Sequence, residues 1–195
     1  MSEFAEYIKT GELDLKRTNE LFAKLSVEKQ DNWIKQTSNA VMDRLAVVSA
    51  DSINFDYTHI AFSIKLLKEG RLWKSGPHKT LSGKPNECYA NCTEMVNDSS
   101  MIYMGYGLNK GKKVWYNGFT EPYLIWIPHA WLVLKKGKKI LETTPYRRWN
   151  AYFGVPVTSE ELLYITTKGV PKDTPGAMTL KEFEQAHNAN LGGRD

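Results

Sequence analysis

The chain has 195 residues, 42% hydrophobic and 12% aromatic, enough to bury a full core and too apolar for disorder to dominate. Its 26 basic and 22 acidic residues leave a formal charge of +4, too mild a bias to point to nucleic acid as a partner. The polar start has no apolar signal region and no later run reaches the length of a membrane span, so a cytoplasmic protein with no membrane partner is expected.

Two cysteines do not make a disulfide framework, and four residues on a helix is poor disulfide spacing, so Cys88 and Cys92 are expected as free thiols. Residues 4–50 carry helical spacing, with Leu13, Leu15, Leu21, Phe22 and Leu25 in one segment and Trp33, Ile34, Val41, Leu45 and Val48 in a second. Ser26 is placed to cap the second helix, and Asp51-Ser52 to interrupt the chain after it. A third helix is predicted over residues 57–69, stopped by Gly70. Residues 74–85 are rich in turn formers and read as a loop that delivers Cys88.

Pro85 disfavours helix before it and Asn86 is suited to cap a helix starting just after it, so a helix to about residue 97 carries Cys88 in its first turn. Residues 101–106 read as a strand, and the polar, glycine-rich stretch 107–118 as an exposed loop around a short extended piece. Residues 123–127 are apolar and aromatic until Pro128 interrupts them. His129 to Lys135 and Lys138 to Thr143 predict a hairpin turning at Lys136-Gly137. Residues 151–157 and 162–167 are further strand candidates, the former at an edge because of Pro156. Thr179 and Glu182 have capping-box spacing for a short helix to about residue 190, before a frayed tail from Gly192. The expected fold is α+β, with a helical extension over residues 1–80 packed on a core over residues 81–195 that ends in a short helix.

A thiolate attacks carbonyl carbon well, and the first turn of a helix and a nearby imidazolium both lower a thiol's pKa. His129 supplies an imidazole, and Glu142, 13 residues later across the hairpin, a carboxylate to orient it. Cys88, His129 and Glu142 are thus candidate nucleophile, general acid/base and orienting group. The amide of Cys88 and the side chains of Asn86 and Asn91 are candidate oxyanion donors. Trp126 and Trp131 are candidate core or cleft-wall residues, and Cys92 is read as packing. Cys88, Cys92 and His129 with His78 would make a zinc set, but the paired Cys-x-x-Cys spacing is missing, and no metal is expected. Lys110, Lys112, Lys113, Lys135, Lys136, Lys138 and Lys139 read as a solvated rim of loops.

A cysteine at a helix start, His129-Ala130-Trp131 at a strand start and an acidic residue before Thr143 after a hairpin resemble the transglutaminase-like branch of the papain-like cysteine enzymes. The likeness spans residues 84–157 and leaves the first eighty or so unaccounted for. Where that branch usually has Asp-Pro-Thr, this chain has Glu142-Thr143-Thr144-Pro145. With Tyr89, Asn91, Gly105-Tyr106 and Tyr152-Phe153-Gly154-Val155, the pattern is also similar to small uncharacterised proteins of phages and bacteria. If the chain is phage-encoded, its compartment is the host cytoplasm.

The resemblance implies a papain-like core whose nucleophile helix packs on an antiparallel sheet. It also implies a cysteine-dependent acyl-transfer enzyme with a protein, peptide or amide substrate and no cofactor: a protease, amidase or deamidase, or else a transglutaminase. The alternative is an inactive binding protein on the same scaffold that engages a host or cellular protein. Oligomeric state is not legible in the sequence.

Overall fold

The structure is a computed structural model that describes residues 2–10, 13–53, 59–114, 120–145 and 147–168. Its helical part opens with α1 (Glu3–Lys9), α2 (Leu15–Ala23) and α3 (Val27–Ala46). The first expected helical segment is two helices, because the Asp14 carboxylate accepts from the N–H of Arg17 at 2.6 Å and starts a new one. Ser26 caps α3 by position, without a side-chain cap bond. Gly70 ends α4 (Ile60–Glu69), yet its φ of −61° is not left-handed. It must be glycine because a Cβ would stand 2.2 Å from the Leu66 carbonyl and 2.7 Å from the Phe153 ring.

The strands are β1 (Ser52–Ile53), β2 (Arg71–Trp73), β3 (Lys79–Thr80), β4 (Ser100–Val114), β5 (Thr120–Leu134), β6 (Ile140–Glu142) and β7 (Trp149–Val157). They form one sheet in the order β2-β7-β4-β5-β6-β3, with β1 also on β5. Among the described residues only the β1–β5 and β3–β6 pairings are parallel. Two further helices, α5 (Cys88–Met95) and α6 (Ser159–Lys168), complete the α+β architecture.

Period-two alternation sorts the sheet into two faces. Ile102, Met104, Tyr106 and Leu108 of β4, Trp126, Ala130 and Leu132 of β5 and Ala151, Phe153 and Val155 of β7 share one cluster with Leu15, Val41, Leu45, Phe62, Leu66, Leu162 and Ile165 of the helices. Tyr103, Trp131, Val133, Ile140, Trp149 and Tyr152 form a separate aromatic cluster on the opposite face.

Four expectations are corrected. The stretch 107–118, expected as loop, is strand as far as Val114, paired without a break to β5 from Ser100↔Leu134 to Val114↔Thr120. The strongly β-forming partner overrides its weak propensity. Pro128 does not interrupt β5. Leu124 exchanges bonds with Asp51, and the Leu134 N–H donates to Lys139, so even-numbered residues of β5 turn their backbone away from β4. The nitrogen of Pro128 therefore faces the interval between the β1 pairing, which ends at Trp126, and the β6 pairing, which begins at Leu132, and no bond to β4 is lost.

Residues 162–167, expected as strand, belong to α6. A capping box starts it: the Glu161 N–H donates to Thr158 Oγ1 at 3.0 Å and the Thr158 N–H to Glu161 Oε2 at 2.8 Å. Pro156 lies on an interior strand, but past the residues that β2 covers, where only β4 is a partner. The helix predicted after Thr179, and the tail, fall outside the described residues.

Candidate active site

Helix α5 lies against β5 in the interval around Pro128. Asn91 staples it there: its Oδ1 accepts from the Lys84 N–H at 2.9 Å, and its Nδ2 donates to the carbonyls of Lys84 at 2.8 Å and Thr143 at 3.0 Å. Cys92, fully buried one turn below Cys88, contacts Thr143 Oγ1 at 3.4 Å. At the helix start Cys88 remains half-buried. Its thiol lies close enough to the His129 ring and to the Ala130 N–H, one of the outward-facing even-numbered amides of β5, for both to act on its titration.

The hairpin expected at Lys136-Gly137 forms, with left-handed backbone at Gly137 (φ 80°) and Lys138 (φ 49°). Its register pairs Leu132 with Leu141, so the next residue, Glu142, stands level with Trp131, one pleat from His129 on the same face. That diagonal explains the glutamate: its extra methylene carries both oxygens to His129 Nε2, at 3.1 and 3.0 Å. Glu142 also accepts from the Thr144 N–H at 2.8 Å and the Tyr152 hydroxyl at 2.9 Å. With Nε2 committed to Glu142, Nδ1 is the ring nitrogen left for the sulfur.

Burial pushes the Cys88 thiol up, but the hydrogen bond and charge of His129 and the Ala130 N–H outweigh it and hold the thiol below its ordinary 9.0, against the charge of Glu142. Burial likewise pulls His129 down, and the bonds and charges of Cys88 and Glu142 carry it instead up to about 9. His129 therefore keeps its proton at neutral pH, and its charge biases the neighbouring Cys88 thiol towards thiolate. Cys92 goes the other way: burial drives it up to about 12 although Thr143 opposes the shift, leaving an inert thiol.

Trp149 and Tyr152 complete the site, and sequence reasoning assigned neither a role. The indole of Trp149 stacks on the imidazole with 4.0 Å between ring centroids. Residues 149 and 152 should face opposite sides of a regular strand. Between Leu108 and Asn109 the β4–β7 register shifts by one residue, a bulge that brings Trp149 to the face of Tyr152 and leaves Asn150 exposed. Glycines make room: a Cβ on Gly107 would lie 2.4 Å from the Trp149 ring, and one on Gly154 2.5 Å from the Trp131 ring. The invitation to this packing was visible as Gly105, Gly107 and Gly154. The bulge was not.

Two sequence-derived site residues are corrected, Asn91 and Asn86, and of the two places open to Trp126 and Trp131 the core is the one found. Asn91 is no oxyanion donor, since its amide hydrogens are spent on two carbonyls. Asn86 does not cap α5; Glu87 does so by position, without a side-chain cap bond. Asn86 is instead an exposed left-handed residue (φ 62°) whose Oδ1 accepts from Arg147 at 2.9 Å. Trp126, three residues from His129, faces the helical core across the sheet. Trp131 is on the histidine's face but wholly buried, so it backs the site rather than lining a cleft.

The first intrahelical bond of α5 runs from the Asn91 N–H to the Glu87 carbonyl, so the N–H of Cys88 lies ahead of that ladder. Among the described residues, His78 is exposed and no His, Cys, Asp or Glu grouping forms a metal-holding cluster. No helix among them is long and apolar enough to cross a membrane. A surface cleft of about 420 Å³ lies away from the triad, at Lys110, Gly111, Thr120, Glu121, Pro122 and Arg148. Lys110 is five residues along β4 from Gly105, the partner of His129, or about 17 Å. No family model matches the chain, and no curated protein or solved structure matches it either.

Proposed function

We propose that this protein is a cysteine-dependent acyl-transfer enzyme on a papain-like, transglutaminase-like core, acting on amide or peptide bonds. The observation that carries the reading is the buried His129–Glu142 pair, bonded at 3.0 Å, with Cys88 at the start of α5 close enough to His129 for each to shift the other's titration. The Cys88 thiolate adds to the carbonyl carbon, with the Cys88 N–H at the helix start available to the developing oxyanion. As the tetrahedral intermediate collapses, the C–N bond breaks, the imidazolium of His129 protonates the departing amine and a thioester remains on Cys88. Neutral His129 then takes a proton from water, or from an incoming amine, which attacks the thioester. The acid or the new amide leaves, and thiolate and imidazolium are restored. Glu142 holds the ring in place for both transfers and stabilises its charged form.

Cys88→Ala and Cys92→Ala variants are compared after brief iodoacetamide treatment at mildly acidic pH, followed by peptide mass mapping. Labelling lost in the first and kept in the second is expected; equal labelling of the two overturns the activated thiol. With p-nitrophenyl acetate, a burst of nitrophenolate and an acetyl thioester on Cys88 are expected. Fast alkylation with no acylation would favour a binding protein on the same scaffold.

A further inference from the structure

We infer that Arg147 is a specificity residue, selecting acyl donors that carry a carboxylate next to the reacting carbonyl; the inference rests on the acyl-transfer reading above. Arg147 lies in the connection between Glu142, at the end of β6, and Trp149, whose ring covers His129. From there its Nη2 donates to Asn86 Oδ1 at 2.9 Å, two residues before the nucleophile. The guanidinium is thereby tied to the rim of the site from both sides.

Its surroundings leave it unneutralised. Arg147 is exposed, and among the described residues no carboxylate lies within ion-pair distance of it. The nearest acidic residue in sequence to Asn86 is Glu87, and that carboxylate pairs with Lys84 at 3.6 Å. A guanidinium has five N–H donors in a fixed fork, and the bond to Asn86 uses one, so the rest are open to a carboxylate. Asn86 holds it from a left-handed conformation (φ 62°) that glycine adopts without cost. An asparagine there supplies what glycine lacks, an oxygen that orients Arg147. Arg148, the next residue, turns to the 420 Å³ cleft beside Lys110, so the entry to β7 carries one cation at Asn86, two residues before Cys88, and another at that cleft.

The test compares iodoacetate with iodoacetamide, which displace iodide at the same thiolate and differ only in the carboxylate. The ratio of their second-order rate constants at Cys88 is measured at pH 6.5 and low salt in the full chain and in Arg147→Gln, Asn86→Gly and Lys139→Gln. The iodoacetate-to-iodoacetamide ratio is expected to fall about threefold to tenfold in Arg147→Gln, the size of one screened charge within a Debye length. A smaller fall is expected in Asn86→Gly, which keeps the cation but frees it, and none in Lys139→Gln, which removes the same charge from the distant hairpin tip. An unchanged ratio in Arg147→Gln, or an equal fall in Lys139→Gln, overturns the inference. A wild-type Cys88 no faster than free cysteine with either reagent removes the acyl-transfer reading and this inference together, whereas a fast Cys88 with an unmoved ratio removes only the inference.

Discussion

The ring of Trp149 lies 4.0 Å from that of His129 and is turned only 21° from parallel, so one face of the imidazole is covered by an indole. The arrangement depends on a single extra residue in β7, since without the bulge the indole would join the helical core. The cover excludes water from the imidazolium and sets a π face against its charge. Trp149→Ala is expected to destabilise the fold by about 3–5 kcal/mol and Trp149→Phe by less than about 1.5 kcal/mol. Urea unfolding of both variants measures this, and equal losses would mean that ring stacking at this position contributes nothing.

The titration of the pair gives activity two limbs. Cys88 sits below its ordinary 9.0, so acidification protonates the nucleophile only at a pH below the usual thiol range. His129 keeps its proton up to about 9, and above that the leaving amine has no acid. Turnover is therefore expected to be bell-shaped with its alkaline limb near 9, while alkylation by iodoacetamide, which needs only thiolate, keeps the acid limb and lacks the alkaline one. His129→Gln removes the partner that lowers the thiol and leaves burial to raise it. At pH 7 the thiolate then falls below about 1%, and alkylation slows.

Much of the site was legible because strand periodicity is strict. The 13-residue interval from His129 to Glu142, with a turn at Lys136-Gly137, puts a carboxylate near an imidazole whatever the detailed packing. The same rule sets Trp126 opposite His129, since an odd spacing of three residues reverses the face, and a place in the cleft wall conflicts with it. What stayed hidden was non-local. Pro128 reads as a break in isolation, and only the arrangement of β1 and β6 around it reveals that its missing N–H faces an interval rather than β4. The bulge that turns Trp149 is a property of two strands together, and no count along one of them contains it. In α6, Thr158-Ser159-Glu160-Glu161 was a readable start signal, outweighed by the β-branched run after it.

Glu142 is held by three donors, and they divide the work. The Thr144 N–H and the Tyr152 hydroxyl fix the carboxylate from behind while His129 Nε2 bridges both oxygens. Tyr152→Phe deletes one bond to a charged group and is expected to cost about 1.5–3 kcal/mol of stability. Glu142→Asp loses the methylene that spans the diagonal to His129 and is expected to lower turnover on the order of 100-fold through misplacement of the ring. Glu142→Gln removes the charge that helps hold His129 near 9, so burial takes over and the alkaline limb moves to lower pH. An alkaline limb that stays in place in Glu142→Gln would mean that Glu142 orients the ring without supporting its charge.

Asn91 tests whether α5 is held by chemistry or by packing. Its one amide satisfies the N–H and carbonyl of Lys84 and the carbonyl of Thr143, tying the loop before the nucleophile, the helix and the segment after Glu142 at a single buried point. Gly83 allows the approach, since a Cβ there would stand 2.0 Å from the Thr143 carbonyl. Asn91→Ala strands these three groups and is expected to cost about 2–5 kcal/mol, while Asn91→Asp retains the acceptor, loses both donors and buries a charge. Because the staple lies one turn from Cys88, its loss also frees the sulfur from Ala130 and His129. Alkylation of Cys88 at pH 6.5 is then expected to slow in Asn91→Ala under conditions where circular dichroism still reports a folded chain. An oxyanion donor would behave differently: its removal would slow acylation by p-nitrophenyl acetate and leave both the alkylation rate and the stability where they were.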